Sequence, residues 1–331
     1  VTGLLSSVRA QPTAVDTLRR AIAADRVHHA YLFDGPEGVG KERAALGLAQ
    51  ALVCERRPQG SPDACGECRA CVRAIPRAGE GRPLHPDVVI LERGLYEPTT
   101  IGRRTPETQD LSIDQVRALV LARAAFPPHE GRAKVFVVRR AEELSQAAAN
   151  ALLKTLEEPG PRTHFVLLSA TADALLPTIR SRTQRVRFGP LPDDVLTDLL
   201  TAQGVENASA IAPLAGGSMA TALVLSDPEA SAKREAFVAR TMAALTTRDL
   251  GTALELAEDA KKLGKEAAIP QLEALAAALG AEARKAAADA DRTADVAAAR
   301  HSLVLAALQQ LDANASAQLV FEAMLIKMRS A

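Results

Sequence analysis

The stretch HAYLFDGPEGVGKERAALGLAQALV, residues 29–53, joins an apolar run to a glycine-rich turn and then to a helical pattern. Inside it, GPEGVGKE (35–42) matches the phosphate-loop pattern G-x-x-x-x-G-K-[ST] at Gly35, Gly40 and Lys41, but carries Glu42 where Ser or Thr belongs. A strand, a tight turn and a helix start form a phosphate cradle, because free backbone N–H groups and the helix macrodipole both favour an anion there. Lys41 is placed to reach terminal phosphates. The missing hydroxyl would ordinarily ligate magnesium, and Glu42 is longer than that hydroxyl and anionic.

Beyond this stretch, short apolar runs alternate with helical patterns. The expected strands are AYLF (30–33), DVVIL (87–91), KVFVV (134–138), HFVLLS (164–169) and QRVRF (184–188). Near-continuous apolar strands separated by helices predict a parallel sheet covered on both faces. The helical patterns include 42–53, 112–125 and 145–158, with Ser112 and Ser145 as N-caps and Pro159 and Pro161 as stops. A metal-assisted nucleotide site also needs an acid at the end of a neighbouring strand. KVFVV is followed instead by Arg139 and Arg140, and Glu142 and Glu143 at the next helix start are expected to point elsewhere. Both metal-holding positions are therefore altered. The expectation is a P-loop fold without hydrolysis, with no magnesium site and with ATP binding weak or absent at Gly35, Gly40 and Lys41. An ATPase with eccentric motifs stays open, as does weak phosphate binding with Arg139 or Arg140 in place of metal.

After Phe188 the strands stop. GPLPDDVL (189–196) reads as a linker with Asp193 or Asp194 capping a helix, and GlyGly at 216–217 with SDP at 226–228 suggests another boundary. The remainder is Ala-rich helix. Leu272, Leu275 and Leu279 form one apolar stripe, and Leu319, Ala323 and Ile326 another, each suited to helix packing. AEARKAAADADRTADVAAAR (281–300) reads as high-propensity helix. RGLYEPTTIGRRTPETQD (93–110) reads as a polar, mobile loop.

The chain has 331 residues with 40 basic and 40 acidic side chains, and only 3% are aromatic. Zero net charge and so few rings argue against an autonomous nucleic-acid binder. No run approaches a membrane span, and VTGLLSSVRAQPT at the start has no secretory apolar stretch. A soluble cytoplasmic protein is expected.

All four cysteines fall in one segment, as Cys54, Cys65, Cys68 and Cys71, with the spacing C-x10-C-x2-C-x2-C. Consecutive C-x2-C pairs present thiolates to one tetrahedral ion, and four sulfur ligands leave no open position, so a structural Zn2+ is expected. An iron–sulfur cluster and disulfides are the alternatives. Arg56, Arg57, Arg69 and Arg73 are expected to surround the cluster and offset its charge.

The phosphate loop, the cysteine module, HPDVVIL (85–91), SIDQVRAL (112–119), AANALLKTLEEP (148–159), LLPTIRSRTQ (175–184) and LDANASAQLVFEAMLI (311–326) occur in that order. This arrangement resembles the bacterial DNA polymerase III clamp-loader family of AAA+ proteins. The altered loop, the missing acids, and the absence of an Arg after GlySer in GGSMATAL (216–223) are similar to the delta-prime type. Ser169 and Thr171 at the sensor strand are hydroxylic without being diagnostic. The resemblance implies an AAA+ α/β domain with an embedded zinc module (1–188), an all-α lid (189–226) and an all-α collar for oligomerisation (227–331). It implies that Arg182, within Ser181-Arg182-Thr183, is offered as a finger to the ATP of a neighbouring gamma/tau subunit. From its residues alone, Arg182 also reads as a surface cation flanked by Arg180, Arg185 and Arg187, which raises the question of DNA contact. LLKTLEEP reads as an amphipathic helix carrying interface and core residues, and contact of Lys154, Glu157 and Glu158 with the next subunit stays open. The implied partners are gamma/tau and delta, with the sliding clamp touched weakly or indirectly and primed DNA met through the assembled replisome. The implied role is that of a stator without ATPase activity of its own inside the DNA polymerase III holoenzyme, a nucleotidyltransferase at the level of the complex. The alternative is the gamma/tau-like motor itself.

Overall fold

The computed structural model describes residues 3–77, 79–104, 110–246, 251–289, 293–312 and 315–330. They divide into two compact units, one running to Val224 and the other starting at Leu225.

The first unit is built on five parallel strands: β1 (Ala30–Asp34), β2 (Val88–Leu91), β3 (Lys134–Val138), β4 (Thr163–Ser169) and β5 (Gln184–Arg187). Their order across the sheet is β2-β3-β4-β1-β5. Ala30 lies opposite Phe165, Tyr31 opposite Gln184 and Val88 opposite Val135. The expected doubly covered α/β sheet is present, and every strand read from the sequence is found. Alternation along the strands divides the core between the two faces. Leu32, Phe136, Val138, Phe165 and Leu167 pack with Val120, Leu152 and Leu156 on one face, where Phe136 stacks on Phe165 at 5.1 Å. Tyr31 and Phe33 point to the other face.

Preceding β1 is α1 (Pro12–Ala23), and following it is α2 (Lys41–Val53), which is buried along nearly its whole length. Then come α3 (Arg69–Arg73) and a helical segment made of α4 (Ile113–Val116), a π turn (Arg117–Leu121) and α5 (Ala122–Ala124). Next are α6 (Gln146–Glu157) and α7 (Pro177–Arg180). Ser112 and Ser145 cap as expected, their hydroxyls accepting from Gln115 N and Ala148 N. The run continues through α8 (Asp193–Ala202), α9 (Ala208–Ile211) and α10 (Met219–Ser226). The N-cap of α8 is Pro192, so Asp193 and Asp194 lie inside the first turn rather than at the cap. They still oppose the helix dipole favourably there.

Edge strand β2 has its outward carbonyls covered. Tyr96 Oη donates to Ile90 O at 2.8 Å and Gln115 Nε2 to Glu92 O at 2.9 Å. This blunts an edge that would otherwise template pairing. It also corrects the reading of 93–110 as a mobile polar loop. Pro98–Ile101 forms a 3-10 turn with Ile101 buried, while 105–109 lie outside the described residues. Asp87, buried just before β2, accepts backbone N–H groups of His129, Glu130 and Gly131 and pins that loop.

The second unit is helical, with α11 (Pro228–Thr246), α12 (Gly251–Ala288, bent at Gly264), α13 (Thr293–Asp312) and α14 (Ala317–Ser330). Leu272, Leu275 and Leu279 are buried, as their spacing predicts. The stripe on α14 is different. Leu319, Ala323 and Ile326 face outward, and the packed side is Val320, Phe321, Met324, Leu325 and Met328. A helix with apolar residues on two sides allows both readings by periodicity, and packing chose the larger side chains. Within 281–300, residues 290–292 lie outside the described set, and the flanking segments are helical.

Candidate functional site

The phosphate loop leaves β1 at the carboxyl end of the sheet, where open α/β folds hold their ligands. It borders a cavity of about 540 Å³ lined by Gly38, Gly40, Lys41, Glu42, Glu92, Arg139, Glu142 and Ser169, among others. Gly35 needs its missing side chain, because a Cβ would collide with Phe188 O and its φ is +153°. Gly38 (φ +73°) likewise lies against the backbone of Met219 and Ala220 at the start of α10. Ser218 Oγ donates to Glu37 O at 2.7 Å, so the helical segment after β5 is docked on the loop itself. Gln11 completes the clasp, its amide donating to Gly189 O at 2.7 Å and accepting Gly189 N at 3.0 Å.

Lys41 is buried, and its ammonium is spent on the loop, donating to Gly35 O and, at 2.6 Å, to Pro36 O. Burial pushes it below the usual lysine range, against the pull of Glu142, Glu37 and Asp34. Glu142 therefore faces the lysine. Its Oε1 accepts Ala170 N at 3.1 Å and it lines the cavity, which corrects the expectation that it points away. Glu143 does turn away, pairing with Arg140 and Arg93. Arg140 is held in the left-handed region at φ 46°.

The two altered positions meet. Arg139 Nη2 donates to Glu42 and Nη1 to Glu92, the residue following β2. Burial opposes the Arg139 cation, but Glu42 and Glu92 outweigh it and hold the guanidinium above its ordinary value. A carboxylate from α2 and another from the end of β2 thus bracket a guanidinium at the end of β3. Glu92 was missed in the sequence. Its place immediately after an apolar strand run was the available signal, since strand ends line such sites. Ser169 is buried with its hydroxyl accepting Thr171 N, and Thr171 does not line the cavity.

The cysteines converge. Their four Sγ atoms lie within 4.8 Å of one another, with Cys65 and Cys71 at 3.8 Å. Zinc–sulfur bonds of about 2.3 Å in a tetrahedron require sulfurs about 3.8 Å apart, so the set fits one such ion. Cys54 ends α2 and Cys68 caps α3, and backbone N–H groups of Cys65, Cys68 and Cys71 donate to Cys54, Cys65 and Cys68 sulfurs at 3.3–3.4 Å. Burial disfavours every thiolate, but N–H donors from Glu67 and Cys68 bring Cys65 down to about 6, and Cys68 is also lowered. Cys54 and Cys71 are raised, burial being the main cause. A bound cation is what would let all four ionise together. Of the arginines expected around them, Arg56 feels the Cys65 and Cys68 charges. Arg57 instead caps Ala51 O and Ser61 O, and Arg73 reaches Leu84 O and Glu130.

Arg182 sits on the turn between α7 and β5, partly exposed, and ion-pairs with Glu157. Arg180 pairs with Asp173 at 2.6 Å and Arg185 with Asp34, while Arg187 is exposed. None of these residues lines the loop cavity, so Arg182 and the phosphate loop are separate features of this chain. Among the described residues no helix is long and apolar enough to cross a membrane.

The chain is 37% identical over 201 residues to the DNA polymerase III subunit delta' of Pseudomonas aeruginosa, covering 59% of this chain and 54% of that one. Against delta' of Bacillus subtilis it is 33% identical over 195 residues, 59% and 52% of the two chains. Against subunit gamma/tau of Mycobacterium tuberculosis it is 36% identical over 204 residues, 60% of this chain and 32% of that one. The matches thus span about a third to a half of these relatives' lengths. A gamma subunit-related protein from Thermotoga maritima superposes with a TM-score of 0.51 at 20% identity, covering 95% of this chain and 98% of that one, a likeness of fold. Residues 10–192, more than half of the chain, match the family described as DNA polymerase III, delta subunit, and the chain belongs to that family of clamp-loader subunits.

Proposed function

We propose that this chain is a delta-prime-type stator of the clamp loader, a subunit that does not hydrolyse ATP and that supplies Arg182 in trans to a neighbouring gamma/tau subunit. The observation that carries the first half is the Glu42–Arg139–Glu92 bridge. Phosphoryl transfer needs a hydroxyl after the loop lysine and an acid on the adjacent strand, both directed at magnesium. Here those positions neutralise each other. A divalent ion about 4 Å from a guanidinium is repelled by roughly 8 kcal/mol at an effective dielectric of about 20. Admitting it also requires breaking a partly buried ion pair. Gly35, Gly40 and Lys41 keep the loop's shape, which serves to seat the segment after β5 through Gly38 and Ser218.

In this reading Cys54, Cys65, Cys68 and Cys71 hold one structural zinc, the helices over 189–226 are the lid, and 227–331 form the collar. Leu319 and Ile326, 64% and 58% exposed, give the collar an apolar stripe for a neighbouring subunit. The partners are gamma/tau and delta. The sliding clamp and primed DNA are met through the assembled complex.

The test is hydrolysis and nucleotide binding by the isolated chain, then by the complex. The purified chain should show no magnesium-dependent ATPase, and Arg182→Ala should abolish its activation of gamma/tau while leaving assembly intact. The gamma/tau relatives favour the rival motor reading. Turnover by the isolated chain that disappears in Lys41→Ala would establish that rival instead.

A further inference from the structure

The guanidinium of Arg182 is occupied by its own chain. Nε donates to Oε1 of Glu157 at 2.5 Å, and Nη2 makes an ion-pair contact with the same oxygen. Nη1 donates to Thr178 O at 2.8 Å and to Ser181 Oγ at 3.3 Å. These contacts involve all three nitrogens of the guanidinium. A phosphate is gripped by two parallel N–H groups on one edge of the guanidinium. Each edge already has a committed donor, so the arginine as it stands cannot offer that grip.

Glu157 is the last residue of α6, where the helix macrodipole disfavours a carboxylate. Its charge there finds its compensation in Arg182. The side chains are 33% exposed for Arg182 and 46% for Glu157. Such a pair holds weakly because water and salt screen it. It is enough to order the guanidinium, and it can yield to the larger charge of a triphosphate.

We propose that Glu157 is a positioning residue that stores Arg182 on its own subunit until a triphosphate carried by a neighbouring subunit displaces the carboxylate. This rests on the trans-finger reading of Arg182 given above. The stored state keeps hydrolysis slow until the subunit interface closes.

The experiment uses the full complex, the chain assembled with gamma/tau and delta, and measures ATP hydrolysis with and without primed DNA and clamp. Glu157→Gln should raise the DNA-independent rate on the order of two- to five-fold, the scale of a lost surface ion pair. Glu157→Asp, which keeps the charge, should stay closer to the parent. The double variant Glu157→Gln/Arg182→Ala should match Arg182→Ala, because Glu157 acts through the arginine. A rate that is unchanged or lower in Glu157→Gln, while Arg182→Ala still abolishes activation, overturns the storage role and leaves the finger standing. Full activation in Arg182→Ala overturns the finger itself, and the storage role with it. Elution volume and melting temperature confirm that each variant assembles.

Discussion

Glu42 and Arg139 are each anomalous alone and ordinary together. The substituted loop residue and the substituted strand-end residue are opposite charges in contact, with Glu92 as a second counter-ion. Removing them should therefore be unequal. Arg139→Ala leaves two carboxylates facing each other in a partly buried cavity and should cost about 2–3 kcal/mol, below the range for a fully buried pair. Glu42→Ala leaves Arg139 its bond to Glu92 and should cost about 1 kcal/mol or less. Urea unfolding of both single variants and the double gives the coupling directly, and equal costs for the two singles would contradict the bridge. The residues are 97 positions apart, so the sequence displays two departures from a motif but not that they compensate each other.

At the scale of elements, the cysteine module and the histidines make separate demands. On the proposed structural-zinc reading, Cys65→Ser should reduce bound zinc from one per chain to a small fraction, read by metal analysis after dialysis. Stability of the first unit should fall with it, since structural zinc contributes binding energy to folding. Full metal retention would count against a four-sulfur shell. His29, His85 and His164 are all held below the usual histidine range, chiefly by burial. Each binds a proton more readily unfolded than folded. As pH falls through the ordinary histidine value near 6.5 the unfolded chain takes up protons first, so stability present at pH 7.5 should decline towards pH 5. Melting temperatures across that interval check the sign, and a flat profile would show that these imidazoles are solvated. The four-cysteine pattern was readable because all four residues fall within one short segment, Cys54 to Cys71. The burial of His85 was not, because it depends on how the loop before β2 packs.

For the whole molecule, the exposed stripe on α14 is the surface that the proposed collar role would turn towards neighbouring subunits. Leu319→Glu with Ile326→Glu should leave the isolated chain folded, as both side chains are exposed. Its co-elution with gamma/tau and delta should weaken at least tenfold in concentration dependence, about 1.4 kcal/mol. Undiminished assembly would count against this stripe as the proposed subunit contact. Legible in the residues alone were the strand positions, the loop, the clustering of the four cysteines and the likeness to clamp-loader subunits. Each of these is encoded over a few neighbouring residues, by apolar runs, glycines and fixed spacings. Packing alone settled that Arg139 closes on Glu42, that Glu142 faces Lys41, that Glu157 holds Arg182, and which side of α14 is buried. Those facts are contacts between residues distant in the chain or choices between two apolar faces. Their energies depend on neighbours and solvent exposure that exist only once the chain has packed.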